Sequence, residues 1–191
     1  MVTMTGADVR AAADGMLRTL TSYADHDWSV PAAGLEWSCW TTAAHVAHDL
    51  LAYAGQVAGR PADGYLPVDL RVHADADPAD VLRVVTACAA LLGAAVDTAT
   101  PDTRAWHWGP CDPAGFAAMG VAETLLHTHD ITGGLDIPWR LPEPLAAQVL
   151  RRLFPDAPAG DATEVLLWMT GRGDLDGRPR RTAWNWQAAV D

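Results

Sequence analysis

The stretch ETLLHTHD, from Glu123 to Asp130, sets two acids and two histidines into an otherwise alanine-rich, apolar segment. At 100° per residue, Glu123 and His127 lie about 40° apart and one turn along a helix, so their side chains can converge as an i, i+4 chelate. Phe116, Met119 and Leu126 share that face, which therefore points into a protein interior. Asp130 falls on it too, while His129 projects well away. A buried, hydrogen-bonded Glu/His pair with no further role satisfies the same spacing, because buried polar groups generally find partners.

A histidine from an earlier segment widens the chemistry. In WTTAAHVAHDLLAYAGQVAG, His48 shares a stripe with the small residues Thr41, Ala44, Ala52 and Gly55, opposite the bulky stripe Val46, Leu50, Tyr53 and Val57. Small neighbours leave room for a ligand. Two histidines and one carboxylate from facing helices form a metal site that keeps open coordination positions, so His48, Glu123 and His127 are the expected ligand set. Zn²⁺, Ni²⁺ and Fe²⁺ all suit these donors. His45, one turn before His48, reads either as an outer ligand or proton donor, or as a packing residue.

Four main helices are needed to hold these groups. The first follows Thr5 as N-cap, with Val9, Met16, Leu17, Leu20 and Tyr23 near a helical period. The second starts behind Ser38 or Thr41 and runs to Gly59. Residues 60–76 carry Pro, Gly and Asp at intervals that break any regular element, and form a long connection of the kind that often serves function. Asp77 and Pro78 open the third helix; Pro113 opens the fourth, which ends at Gly133 and Gly134. Between them, Trp106 and Trp108 alternate around His107 in extended fashion. Shorter helices span about 143–154 and 161–169, and an irregular tail with Trp184 and Trp186 follows. The fold class is all-α: one bundle domain over residues 1–191, with a C-terminal tail from about 172. Val121 and Leu125 make the fourth helix apolar on its other side as well, so it is either fully enclosed or a homodimer contact.

Composition narrows the partners. The 191 residues are 50% hydrophobic and carry a formal net charge of −11, with no basic stripe. Nucleic acid and anionic membrane are excluded as electrostatic partners. The start, MVTMTGADVR, has no apolar h-region, and the longest near-continuous apolar run, ACAALLGAAV, is short for a bilayer; a cytoplasmic location is expected. Cys39, Cys88 and Cys111 are too few and scattered for a disulfide framework.

The run from Trp40 through Thr41 to His48, the helix E-x3-H-x2-D from Glu123 to Asp130, and LLWMTGR at 166–172 together resemble the DinB-like superfamily. More narrowly, they are similar to the mycothiol-dependent maleylpyruvate isomerase N-terminal domain family, over roughly residues 5–172. The resemblance implies a DinB-like four-helix bundle with additional short helices. It also implies one divalent metal, usually zinc, on His48, Glu123 and His127. It further implies a thiol transferase or isomerase acting with mycothiol or a similar low-molecular-weight thiol on an electrophilic small molecule. Asp130 matches the family's acid after the ligand helix, either orienting a ligand imidazole or capping the helix end. Arg172, Trp106 and Trp108 are the candidate substrate contacts. A metal-dependent hydrolase using water, and a metal-free helical protein that binds a small molecule, are the alternatives.

Overall fold

The computed structural model describes residues 3–190. Each of its long helices begins at a residue suited to cap it. Thr5 precedes α1 (Gly6–Leu20), and its backbone N–H and hydroxyl both donate to the Asp8 carboxylate at 2.8 Å. Ser38 caps α2 (Cys39–Gly59), its hydroxyl oxygen accepting from the Thr41 N–H at 3.1 Å. Asp77 caps α3 (Pro78–Thr98) and Asp112 caps α4 (Pro113–Gly134), in both cases with proline in the first turn. Side-chain acceptors at these positions satisfy amide groups that have no partner within the helix. Two shorter helices, α5 (Glu143–Leu153) and α6 (Ala162–Met169), follow.

α1, α2 and α3 pack around α4, and α5 covers a further side of it, joined in turn to α6. The buried apolar residues form one continuous cluster. Val121 and Leu125 lie inside it at 0% and 2% exposure, so the second apolar side of α4 is enclosed by this chain's own helices. α3 is long and apolar enough to cross a membrane by length and composition, beyond the short run expected from the sequence. Yet its Val81, Leu82, Val85, Cys88 and Leu92 are buried against the bundle, as in a core helix. The three cysteines are buried free thiols.

Polar residues inside α4 are satisfied locally. The hydroxyls of Thr124 and Thr128 donate to the carbonyls of Gly120 and Thr124 at 2.8 and 2.6 Å. At Gly134 the chain needs the absence of a side chain: a Cβ there would lie 2.4 Å from the Pro31 carbonyl oxygen. That close approach seats the segment before α2 on the end of α4, where the Ala33 N–H donates to the Asp130 carbonyl at 2.8 Å.

The segment between α3 and α4 is extended, as its alternating tryptophans suggested. It closes into a small antiparallel ribbon, β1 (Ala105–Trp106) with β2 (Pro110–Cys111). The tail is irregular but tied down. The Gln187 N–H donates to the Leu153 carbonyl and the Val190 N–H to the Pro110 carbonyl, both at 2.8 Å, and Ala188 is buried.

Candidate metal centre

Three side chains from α2 and α4 converge in the bundle. On α4, one turn separates Glu123 from His127 and brings His127 Nε2 to 3.2 Å from Glu123 Oε2. From α2, His45 directs its Nε2 to 4.0 Å from the same oxygen, and its ring meets that of His127 edge-on with centroids 5.2 Å apart. One ligand atom from each of the three lies within 4.8 Å of the other two. The donor set, two imidazole nitrogens and a carboxylate oxygen at the wall of a cavity, fits a divalent transition metal with positions left open.

The histidine that α2 brings to this point is His45, where the spacing pointed to His48. Taking Val46 as the middle of the buried stripe, His48 sits about 160° round the helix, whereas His45 sits about 100° round and Asp49 about 60°, on the flank turned to α4. His48 therefore lies about 60° beyond His45, facing away from the buried stripe. Its Nδ1 accepts the Leu70 N–H at 3.3 Å, fastening the 60–76 connection to the helix. The small residues beside it, Ala52 and Gly55, make room for that connection, with Leu66 lying over them.

His127 is braced from behind. Its Nδ1–H donates to Asp130 Oδ2 at 3.0 Å, and Arg172 grips the same carboxylate with Nε on Oδ1 at 2.9 Å and Nη2 on Oδ2 at 2.7 Å. Of the two roles open to Asp130, orienting the imidazole is the one this geometry performs. Arg172, expected as a substrate contact, lines the cavity but commits its guanidinium to Asp130 and, through Nη1, to the Thr170 carbonyl. A ring whose Nδ1 carries the proton presents Nε2 to the centre.

The charges follow. Burial opposes ionisation of Asp130, but the hydrogen bonds from His127 and Arg172 outweigh it and hold its carboxyl below the usual range. Burial likewise opposes ionisation of Glu123, and the hydrogen bond and charge of His127, with His45, bring it below its ordinary value. Burial alone would push His127 down; the bonds to Asp130 and Glu123 reverse this and carry it up to about 9. His45 is lowered, mainly by burial, and is neutral and able to coordinate. These shifts favour a proton shared by His127 and Glu123 in the place a cation would take.

Two further groups on α2 feel the charge of Glu123. Asp49, one turn after His45, lies 3.2 Å from His45 Nε2; burial and the Glu123 charge raise it to about 8. Tyr53, a turn further, is buried, and burial with the Glu123 and Asp49 charges raises its phenol well above its ordinary pKa. The i, i+4 spacing of His45 and Asp49 repeats that of Glu123 and His127, a signal present in the sequence.

A cavity of about 640 Å³ holds His45, Glu123, His127 and Asp130, walled by Trp37, Trp184 and Trp186 and edged by Arg172, Arg180 and Arg181. A second, of about 710 Å³, shares Glu123, Trp184 and Trp186 and adds His107 and Trp108. Trp108 is 81% exposed at the ribbon turn and holds a left-handed backbone, with φ of 55°. Trp106 packs against Tyr65 and Trp108. His129 is not part of the trio.

The family model for the DinB superfamily matches residues 8–131, a span that includes His45, Glu123, His127 and Asp130 and ends before Arg172. No curated protein and no solved structure matches the chain.

Proposed function

The chain belongs to the DinB superfamily, and on that footing we propose that it is a divalent-metal-dependent thiol S-transferase or isomerase, using a mycothiol-type thiol against an electrophilic small molecule. The observation that carries this reading is the convergent trio His45, Glu123 and His127, braced through Asp130 and Arg172, at the wall of a cavity large enough for two small reactants. Zinc is the metal that best fits two imidazoles and one carboxylate, with nickel and iron chemically compatible. A divalent ion held there would supply Lewis acidity that keeps a thiol ionised near neutral pH.

The chain's own groups do the rest. Burial keeps His45 neutral, so its lone pair is available. Asp130 holds the Nδ1 proton of His127, and Arg172 holds Asp130. Trp37, Trp184 and Trp186 offer flat apolar surface to a bound reactant. The Arg180 guanidinium has no ion-pair partner among the described residues and gives the cavity edge a positive charge for an anionic group on the ligand.

Elemental analysis of protein purified without added metal tests the first half of this reading, with close to one equivalent of divalent metal expected. Metal-free protein that fails to take up Zn²⁺ or Ni²⁺ would leave the non-catalytic binder. The second half is tested by titrating cobalt-substituted protein with mycothiol, which should add a sulfur-to-cobalt charge-transfer band. An unchanged spectrum at saturating thiol would favour the hydrolase.

A further inference from the structure

α2 and α4 meet at the centre with matched spacings. Glu123 and His127 stand one turn apart on α4, and His45 and Asp49 stand one turn apart on α2. Within each pair the histidine Nε2 lies 3.2 Å from a carboxylate oxygen, Oε2 of Glu123 on one helix and Oδ2 of Asp49 on the other. The same His45 nitrogen is 4.0 Å from Glu123 Oε2. The atom by which His45 would hold a metal is therefore nearer to Asp49 than to Glu123.

That approach is not a hydrogen bond. Among the described residues, ring nitrogens of His48, His107 and His127 take part in aligned hydrogen bonds, and those of His45 do not. Asp49 Oδ2 thus lies beside the axis along which Nε2 presents its proton or lone pair, not on it. Two donors of one ion stand in that relation. With metal–ligand bonds near 2.1 Å and angles of about 90–110°, neighbouring donor atoms are about 3.0–3.4 Å apart. A ring that coordinates through Nε2 has no proton there to offer a carboxylate, so one held at 3.2 Å gains only if it shares the cation.

Charge points the same way. Asp130 has Arg172, but among the described residues the ion pairs of Asp49 and Glu123 are with His45 and His127 alone. Their side chains are 17% and 13% exposed. Carboxylates drawn out of water need a paired charge or a metal. With both rings coordinating, and so neutral, the counter-charge that matches two carboxylates is that of one divalent ion.

We propose that Asp49 is a fourth protein ligand of the metal, so that the centre is built from two i, i+4 pairs, His45 with Asp49 and Glu123 with His127. This deepens the reading above and rests on its metal half, not on the thiol. The trio alone leaves a tetrahedral ion one open position; with Asp49 the protein fills four, and a reactant enters as the fifth ligand. The ion this suits is a divalent first-row metal that accepts five or six ligands, such as iron or nickel, or zinc expanded to five. Asp49 lines the space under the 60–76 connection rather than the tryptophan-walled cavity, which leaves that cavity free for the reactants.

Two measurements test the assignment: metal affinity by competition with a chelator, and the visible ligand-field spectrum of cobalt-substituted protein. Asp49→Ala should bind zinc and cobalt more than about a hundredfold more weakly than wild type, beyond the roughly 10- to 100-fold loss usual for a residue that only orients a ligand. Its cobalt bands should move, because one protein donor has been lost. Asp49→Asn, which keeps the shape and an oxygen but not the charge, should fall between the two in affinity. After chelation both variants should keep the wild-type unfolding temperature, since Asp49 has no arginine partner to leave unpaired; this separates lost ligation from lost fold. Cobalt bands of Asp49→Ala that coincide with those of wild type would overturn the proposal. So would an affinity at or above the wild-type value, which would make Asp49 a competitor for His45 rather than its companion. Wild-type protein that takes up no metal would remove the metal reading itself, and this assignment with it.

Discussion

Asp130→Asn is the substitution that most directly tests the bracing of His127. Asp130 is 1% exposed and takes three hydrogen bonds, one from His127 and two from Arg172, whose side chain is itself only 12% exposed. Asparagine keeps one oxygen for His127 but removes the charge, leaving the guanidinium buried without its partner. Breaking a buried pair in this way costs about 3–5 kcal/mol, a large part of the roughly 5–15 kcal/mol that holds a domain folded. For a chain of this length that is a fall of roughly 6–20 °C in Tm. The comparison is made on metal-free protein, because bound metal adds its own stabilisation. Metal affinity should fall by about 10- to 100-fold, the usual effect of removing an acceptor behind a ligand imidazole. Calorimetry and competition with a chelator read the two quantities separately. In the double variant Asp130→Asn with Arg172→Met, both charges are gone, so stability should recover relative to the single change while metal affinity stays low. Single substitutions that add without interaction, or an Asp130→Asn protein with wild-type metal affinity, would refute the reasoning.

Two more expectations follow from the same site. His45→Ala should abolish stoichiometric metal binding, whereas His48→Ala should retain the metal and instead loosen the 60–76 connection, seen as faster hydrogen exchange at Leu70; the reverse pattern of metal contents would restore His48 as the ligand. The elevated pKa of His127 gives metal-free protein a stability that is complete below its ordinary value of 6.5 and is lost as pH rises through about 9. The full shift corresponds to an upper bound of about 3 kcal/mol. Denaturation curves should show that loss for metal-free protein and not for zinc-loaded protein, where the ring is already deprotonated, and zinc affinity should rise over the same window as the displaced proton becomes easier to remove. A metal-free stability that is flat between these pH values would contradict the assignment of the proton to His127.

What the sequence disclosed was local. Thr5, Ser38, Asp77 with Pro78, and Pro113 announce the helix starts because a cap or an N-terminal proline acts within a single turn. The Glu123–His127 pair was equally legible, since both partners belong to one helix whose period fixes their distance. The contribution of α2 was harder to read because its pattern occurs twice, three residues apart: Trp37 and Ser38 precede His45 at the same spacing as Trp40 and Thr41 precede His48. Choosing between them requires knowing which residue caps the helix. Ser38 does so by accepting the Thr41 N–H, which places Thr41 inside the first turn and makes the Trp37–Ser38 copy the one that stands at the helix start.

The walls of the site could not be read in this way at all. Trp37 reaches His45 only because Gly134 lets the segment before α2 settle on the end of α4, and Trp184 and Trp186 return from a tail that has no periodicity. His107 meets Tyr65 and Trp186 across separations of 42 and 79 residues. Helices fix the donor atoms, because a ligand set needs positions held within a fraction of an ångström by regular backbone. Irregular segments close the cavity around them, and their side chains decide what fits beside the trio. A family whose members keep the helical trio and vary those segments can therefore hold one metal chemistry while changing the reactant. On the thiol chemistry proposed above, Arg180 and Trp186, which line the trio's cavity, are where this chain's substrate preference would reside.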